Sequence, residues 1–135
     1  MFGKIEHLGI AVDQLATASP LFEALLGVSA YKEEAVASEG VKTLFFQSGP
    51  NKIELLEATN PDSPIAKFIA KRGPGIHHVA FEVADIEAEM ARLKTAGFQL
   101  LNETPKRGAD NKWVVFLHPK DTSGVLVELC QEINE

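Results

Sequence analysis

The chain reads as two copies of one pattern, and that repeat limits its fold more than any other feature. Ile5-Glu6-His7-Leu8-Gly9-Ile10 lies on Ile76-His77-His78-Val79-Ala80-Phe81, and Ile53-Glu54-Leu55-Leu56 lies on Val127-Glu128-Leu129-Cys130. The offsets nearly agree, 78 − 7 = 71 for the histidines and 128 − 54 = 74 for the glutamates. Two independent pairs at nearly one spacing indicate a duplication with about three residues inserted, and predict pseudo-twofold symmetry rather than a solenoid.

Each copy alternates strand and helix signals. Ile5 to Val12 is aliphatic over the length of a strand, and Leu15, Ala18, Phe22, Leu25 and Leu26 follow at helical spacing, with Gly27 as the stop. Strands are expected at Val28–Glu34, Val41–Gln47 and Lys52–Glu57, the last two separated by the turn Ser48-Gly49-Pro50-Asn51. Ser63 and Pro64 are a cap and first residue for a short helix with Ile65, Phe68 and Ile69 on one side, stopped by Lys71-Arg72-Gly73-Pro74-Gly75. The second copy starts with a strand from Ile76 to Val83. A helix marked by Ile86, Met90 and Leu93 ends at Gly97, and strands are expected at Gln99–Asn102, Trp113–Leu117 and Val125–Cys130. The reading is one α+β domain of two tandem βαβββ modules, residues 1–60 and 75–135, with a connector helix within 61–74.

At 135 residues the chain can bury a core without disulfides, and its single cysteine, Cys130, lies between aliphatics as a buried bystander. A net charge of −6 without a basic cluster excludes nucleic acid as the expected partner. No apolar run approaches the roughly 20 residues that span a bilayer, and the N-terminal residues do not form a secretory signal, so the expected location is the cytoplasm.

Strand residues alternate faces, so His7 shares a face with Gly9 and Ala11, and His78 with Ala80, which leaves room above each imidazole. Glu54 and Glu128 sit between aliphatic residues in mid-strand, where a carboxylate requires compensation for its desolvation. Singly, such a histidine is more often a core or surface group, and such a glutamate a salt-bridged one. Recurrence of both at matched positions favours one divalent cation held by His7, Glu54, His78 and Glu128, a set that suits Zn, Co, Mn or Ni. His77 points to the other face and reads as a packing residue or as one that supports a ligand from behind, and a register shift of one residue would exchange it with His78.

These segments, with Ser63-Pro64-Ile65-Ala66-Lys67-Phe68 and His118-Pro119-Lys120, resemble the methylmalonyl-CoA epimerase family of the vicinal-oxygen-chelate (glyoxalase-like) superfamily over nearly the whole chain. The resemblance implies a cup-shaped mixed sheet around a metal site, and a homodimer. It also implies interconversion of (2R)- and (2S)-methylmalonyl-CoA, a step of propionyl-CoA metabolism, by C2 proton abstraction and return through a metal-stabilised enolate. Glu128 matches the family's ligand that also acts as base, and Lys120 is a candidate contact for the anionic acyl-CoA. Some members place a second catalytic Glu shortly after the glycine corresponding to Gly40. Thr43 stands there instead, which leaves Glu54, Glu39 or a water for the opposite face.

The ligand set does not separate this reading from a glyoxalase I type lyase acting on a hemithioacetal. A ring-cleaving dioxygenase fits less well, because its iron usually has two histidines and one carboxylate. A metal-free binding protein of the same fold would not need all four candidate ligands.

Overall fold

Apolar residues two apart on the strands and three or four apart on the helices fix both structure and packing. The computed structural model describes residues 1–134. Its elements are β1 (Ile5–Ala11), α1 (Leu15–Leu26), β2 (Lys32–Val36), β3 (Val41–Ser48), β4 (Asn51–Ala58), α2 (Pro64–Arg72), β5 (Gly75–Glu82), α3 (Ile86–Thr95), β6 (Lys106–Gly108), β7 (Lys112–Leu117) and β8 (Val127–Glu132). Among the described residues no helix is long and apolar enough to cross a membrane. The chain divides into two compact units, His7–His77, and Met1–Glu6 with His78 onward.

In the His7–His77 unit the strand order is β2-β3-β4-β1, with β1 parallel to β4 and the other neighbours antiparallel. One sheet face carries Ile10, Leu44, Phe46, Ile53 and Leu55, which pack with Leu15, Ala18, Phe22 and Leu26 of α1. Leu25 falls outside that stripe and is exposed. The other face carries Ala11, Val41 and Leu56, and α2 covers them with Ile65, Phe68 and Ile69. Full burial of one such aliphatic contributes about 1.5–3 kcal/mol. Ser63 caps α2 by accepting from the Ile65 N–H at 3.1 Å, with Pro64 as the first helical residue.

The second unit repeats the pattern with order β5-β8-β7-β6. Val115, Leu117 and Leu129 pack under Ile86, Met90 and Leu93 of α3. The N-terminal residues join this unit: the Gly3 N–H donates to the Glu82 carbonyl, and the Glu82 N–H to the Lys4 carbonyl. Cys130 is buried, its Sγ 3.5 Å from the Phe81 carbonyl.

Three strand boundaries depart from the sequence expectation. Val28–Ser29–Ala30 lies outside regular pairing, and β2 starts at Lys32. Gln99–Asn102 makes a single bridge, Leu100 to Leu117, because the Asn102 side chain rather than backbone accepts the Phe116 N–H. The regular partner of β7 is β6, which no apolar alternation marked. The last strand begins at Val127 rather than Val125, after a turn in which Thr122 Oγ1 donates to the Val125 carbonyl.

The two main helices start from the same device. The Leu15 N–H donates to Glu57 Oε1 at 2.7 Å, and the Ile86 N–H to Gln131 Oε1 at 2.7 Å. Gln14, at the N-cap of α1, makes no side-chain cap, so Glu57 satisfies an otherwise orphan donor and places negative charge at a helix N-terminus. Replacing Glu57→Ala is expected to lower stability by about 1–2 kcal/mol in urea titration, and Glu57→Gln, which preserves the acceptor, by a few tenths.

On α3, Glu89 is buried and takes two hydrogen bonds at 3.1 Å from Arg92. The bond from Arg92 holds its carboxyl below the usual carboxylate value of 4.5, against desolvation. A lowered folded-state value gives stability that is present above 4.5 and is lost as pH falls below it. Glu89→Gln is therefore expected to lower the urea midpoint at neutral pH and to flatten its decline on acidification below 4.5.

Candidate functional site

In each unit the sheet face opposite α1 or α3 carries one imidazole and one carboxylate. Register places Gly9 beside Glu54 and Phe45 across from it, so His7, Glu54, Phe45 and Thr43 share a face. His7 Nδ1 lies 3.1 Å from Glu54 Oε2, and both side chains are 6% exposed. In the second unit Ala80 lies beside Glu128 and Phe116 across from it. His78 Nε2 lies 3.2 Å from Glu128 Oε1, with side-chain exposures of 6% and 8%. The His78 ring stands edge-on to Phe116 at 5.8 Å.

Thus all four residues expected from sequence are buried, and each unit brings its own histidine and glutamate together. An ionised carboxylate at such exposure is costly unless paired, and the adjacent imidazole supplies part of the compensation. Two imidazole nitrogens and two carboxylates are donors that fit a first-row divalent ion.

Other expected residues have defined places. His77 packs edge-on against Phe68 of α2 at 5.0 Å, and burial lowers its value to about 4, so the ring is neutral at neutral pH. Lys120 lies in a 3-10 turn, Pro119–Asp121, where its N–H donates to His118 Nδ1 at 3.1 Å. Glu39 ends the 3-10 turn Ala37–Glu39 just before Gly40. Thr43 is 1% exposed, and its hydroxyl has no hydrogen-bond partner.

Sequence reading missed the phenylalanine opposite each glutamate. Phe45 and Phe116 are themselves 71 residues apart (116 − 45 = 71), so the repeat offset could have found them. Lys32 Nζ lies 5.2 Å from the Phe45 ring centroid, and Lys106 Nζ 5.8 Å from that of Phe116. Lys106 was legible only as one of several cations near an anionic acyl-CoA, and neither lysine, on its short, polar strand, could be linked to these rings from the sequence.

Gly40 fixes the start of β3 and hence the placement of Thr43. It adopts φ 62°, accepts from the Thr59 N–H at 2.9 Å, and a Cβ there would meet Asn60 Nδ2 at 2.9 Å and Ser63 Cβ at 3.0 Å. Left-handed backbone alone costs a non-glycine residue about 1–2 kcal/mol. Gly40→Ala is expected to destabilise by at least about that amount in urea unfolding, whereas alanine at an αR position would not.

The profile of the Glyoxalase/Bleomycin resistance protein/Dioxygenase superfamily matches residues 6–116. The ethylmalonyl-CoA/methylmalonyl-CoA epimerase of Cereibacter sphaeroides is 43% identical over 97% of this chain and 99% of its own length. The crystal structure of methylmalonyl-CoA epimerase from Mycobacterium tuberculosis superposes with a TM-score of 0.94 at 36% identity, covering 98% of this chain and 90% of that one. A methylmalonyl-CoA epimerase solved in complex with methylmalonyl-CoA and NH4+ superposes with a TM-score of 0.91 at 34% identity, covering 98% and 96%.

Proposed function

This chain belongs to the glyoxalase/bleomycin resistance/dioxygenase superfamily, and we propose that within it the protein works as a methylmalonyl-CoA epimerase, with one divalent ion held by His7, Glu54, His78 and Glu128. The observation that carries the reading is the buried imidazole–carboxylate pair found once in each unit, at matched repeat positions. The epimerase relatives, matched over almost the entire chain, supply the substrate class, an acyl-CoA thioester.

The reaction removes the proton from C2, which lies between a thioester and a carboxylate, and returns it on either face. A bound divalent ion would supply Lewis-acid stabilisation of the negative charge that develops on the oxygens next to C2. Glu128 is the proposed base: a buried carboxylate flanked by the His78 imidazole and the Phe116 ring, in surroundings that exclude water and fix its orientation. His7 and His78 stand beside the two carboxylates at 3.1 and 3.2 Å, the spacing that neighbouring donors to one ion would need. Phe45 lies across from Glu54 and Phe116 across from Glu128, so each carboxylate has an aromatic neighbour. Lys120, at its exposed turn, is the proposed contact for an anionic group of the acyl-CoA. The glyoxalase reading shares the ligand set and is separated by the assay.

Deuterium exchange at C2 of methylmalonyl-CoA in D2O, followed by NMR, is the direct test. Metal-loaded protein is expected to exchange the C2 proton and chelated protein to lose exchange, with His7→Ala and Glu128→Ala each holding less than one metal per chain. Glu128→Gln is expected to reduce exchange by about 100-fold or more. Turnover of a hemithioacetal without C2 exchange would replace the epimerase with the lyase. Unchanged metal content in both alanine variants would remove the ligand assignment.

A further inference from the structure

Among the described residues, Thr43 Oγ1 is the buried side-chain polar atom left without a hydrogen-bond partner. Native proteins satisfy the great majority of such atoms, so an exception requires a reason. Folding does not supply one here. Thr43 corresponds by the repeat to Val114 (114 − 43 = 71), which is buried at 5% exposure in an apolar cluster with Ala80 and Cys130. Valine and threonine have nearly one shape, so the strand at this position packs equally well without a hydroxyl.

The location suggests the reason. Thr43 shares the sheet face of His7 and Glu54: it is two residues from Phe45, which lies across from Glu54, and it sits directly opposite Leu56 on β4. At this diagonal separation, roughly 7–8 Å, the Thr43 side chain is a near neighbour of Glu54 on that face. On its other side the neighbour across β2 is Glu34, held by Lys32 at 3.1 Å with both side chains about one-third exposed. A half-exposed ion pair of this kind is a weak contact that yields to a ligand at small cost.

We propose that the Thr43 hydroxyl donates a hydrogen bond to an acceptor oxygen at the malonyl end of the bound acyl-CoA, the thioester carbonyl or the carboxylate. Thr43 is thereby a substrate-binding residue, and the ligand supplies the partner that no protein group gives its hydroxyl. The inference rests on the epimerase reading for the identity of the ligand.

Thr43→Val and Thr43→Ser test it, each measured for thermal stability, for C2 exchange of methylmalonyl-CoA, and for the thermal shift produced by methylmalonyl-CoA and by propionyl-CoA. The valine variant removes an unpaired buried hydroxyl, so its melting temperature is expected to rise by about 2–4 °C. Its kcat/KM for exchange is expected to fall about tenfold to a hundredfold, with a smaller methylmalonyl-CoA shift. The serine variant is expected to retain exchange close to that of the parent. A reduced shift with both ligands assigns the bond to the thioester carbonyl, and a reduction confined to methylmalonyl-CoA assigns it to the carboxylate.

Unchanged exchange and ligand shift in Thr43→Val would overturn the proposal, as would joint loss of stability and exchange that serine does not restore. The parent is read first in the same assays. A parent with neither exchange nor ligand shift removes the epimerase reading and the Thr43 proposal with it, whereas an active parent with an equally active valine variant removes the Thr43 proposal alone.

Discussion

A carboxylate taken out of water in mid-strand is the constraint around which each unit is arranged. Glu54 and Glu128 are nearly inaccessible, and each faces one imidazole at 3.1–3.2 Å. Such a pair attracts strongly in a low-dielectric setting but also bears the desolvation of both partners, so by itself it adds little to stability. Its persistence in both units is better explained by chemistry than by folding. The sheet face that carries the pair cannot serve fully as hydrophobic core, and the long helix of each unit packs on the opposite face.

One strand in each unit serves both faces. Glu57 and Gln131 come three residues after Glu54 and Glu128, an odd spacing that turns them to the other side of the sheet. There they accept the first N–H of α1 and α3 at 2.7 Å. The start of the helix and the carboxylate of the site are thus tied to the same few residues of backbone. Displacing the strand by one residue would exchange the two faces, orphaning the helix donor and turning the carboxylate towards the helix.

Legibility in the sequence followed the strength of periodic patterns. The repeat, both long helices, the capped connector helix and the four His and Glu positions were readable, because buried aliphatics frame them and the offset links them. β6 was not readable: Lys106-Arg107-Gly108 is polar, and its pairing is decided by β7. The strand expected at Gln99–Asn102 failed because the Asn102 side chain takes the hydrogen bond that a ladder would have used. For Thr43 the composition of the strand was visible but the missing partner was not. Satisfaction of a hydroxyl depends on side chains brought from β2 and β4, which no local pattern specifies.

Departures from the repeat show where the two copies no longer carry the same demand. A duplicated fold needs the same apolar positions twice, and Leu44 and Val115, or Leu55 and Leu129, meet that need in equivalent ways. Glu57 and Gln131 differ in charge yet make the same bond to a helix start, so that difference is neutral for the fold. Thr43 and Val114 differ in the opposite sense: shape is kept, and a hydroxyl without a protein hydrogen-bond partner stands where the second copy has a methyl group. The hydroxyl that distinguishes Thr43 from Val114 stands on the sheet face of His7 and Glu54 in its own unit, and it is there that the first copy departs from the second.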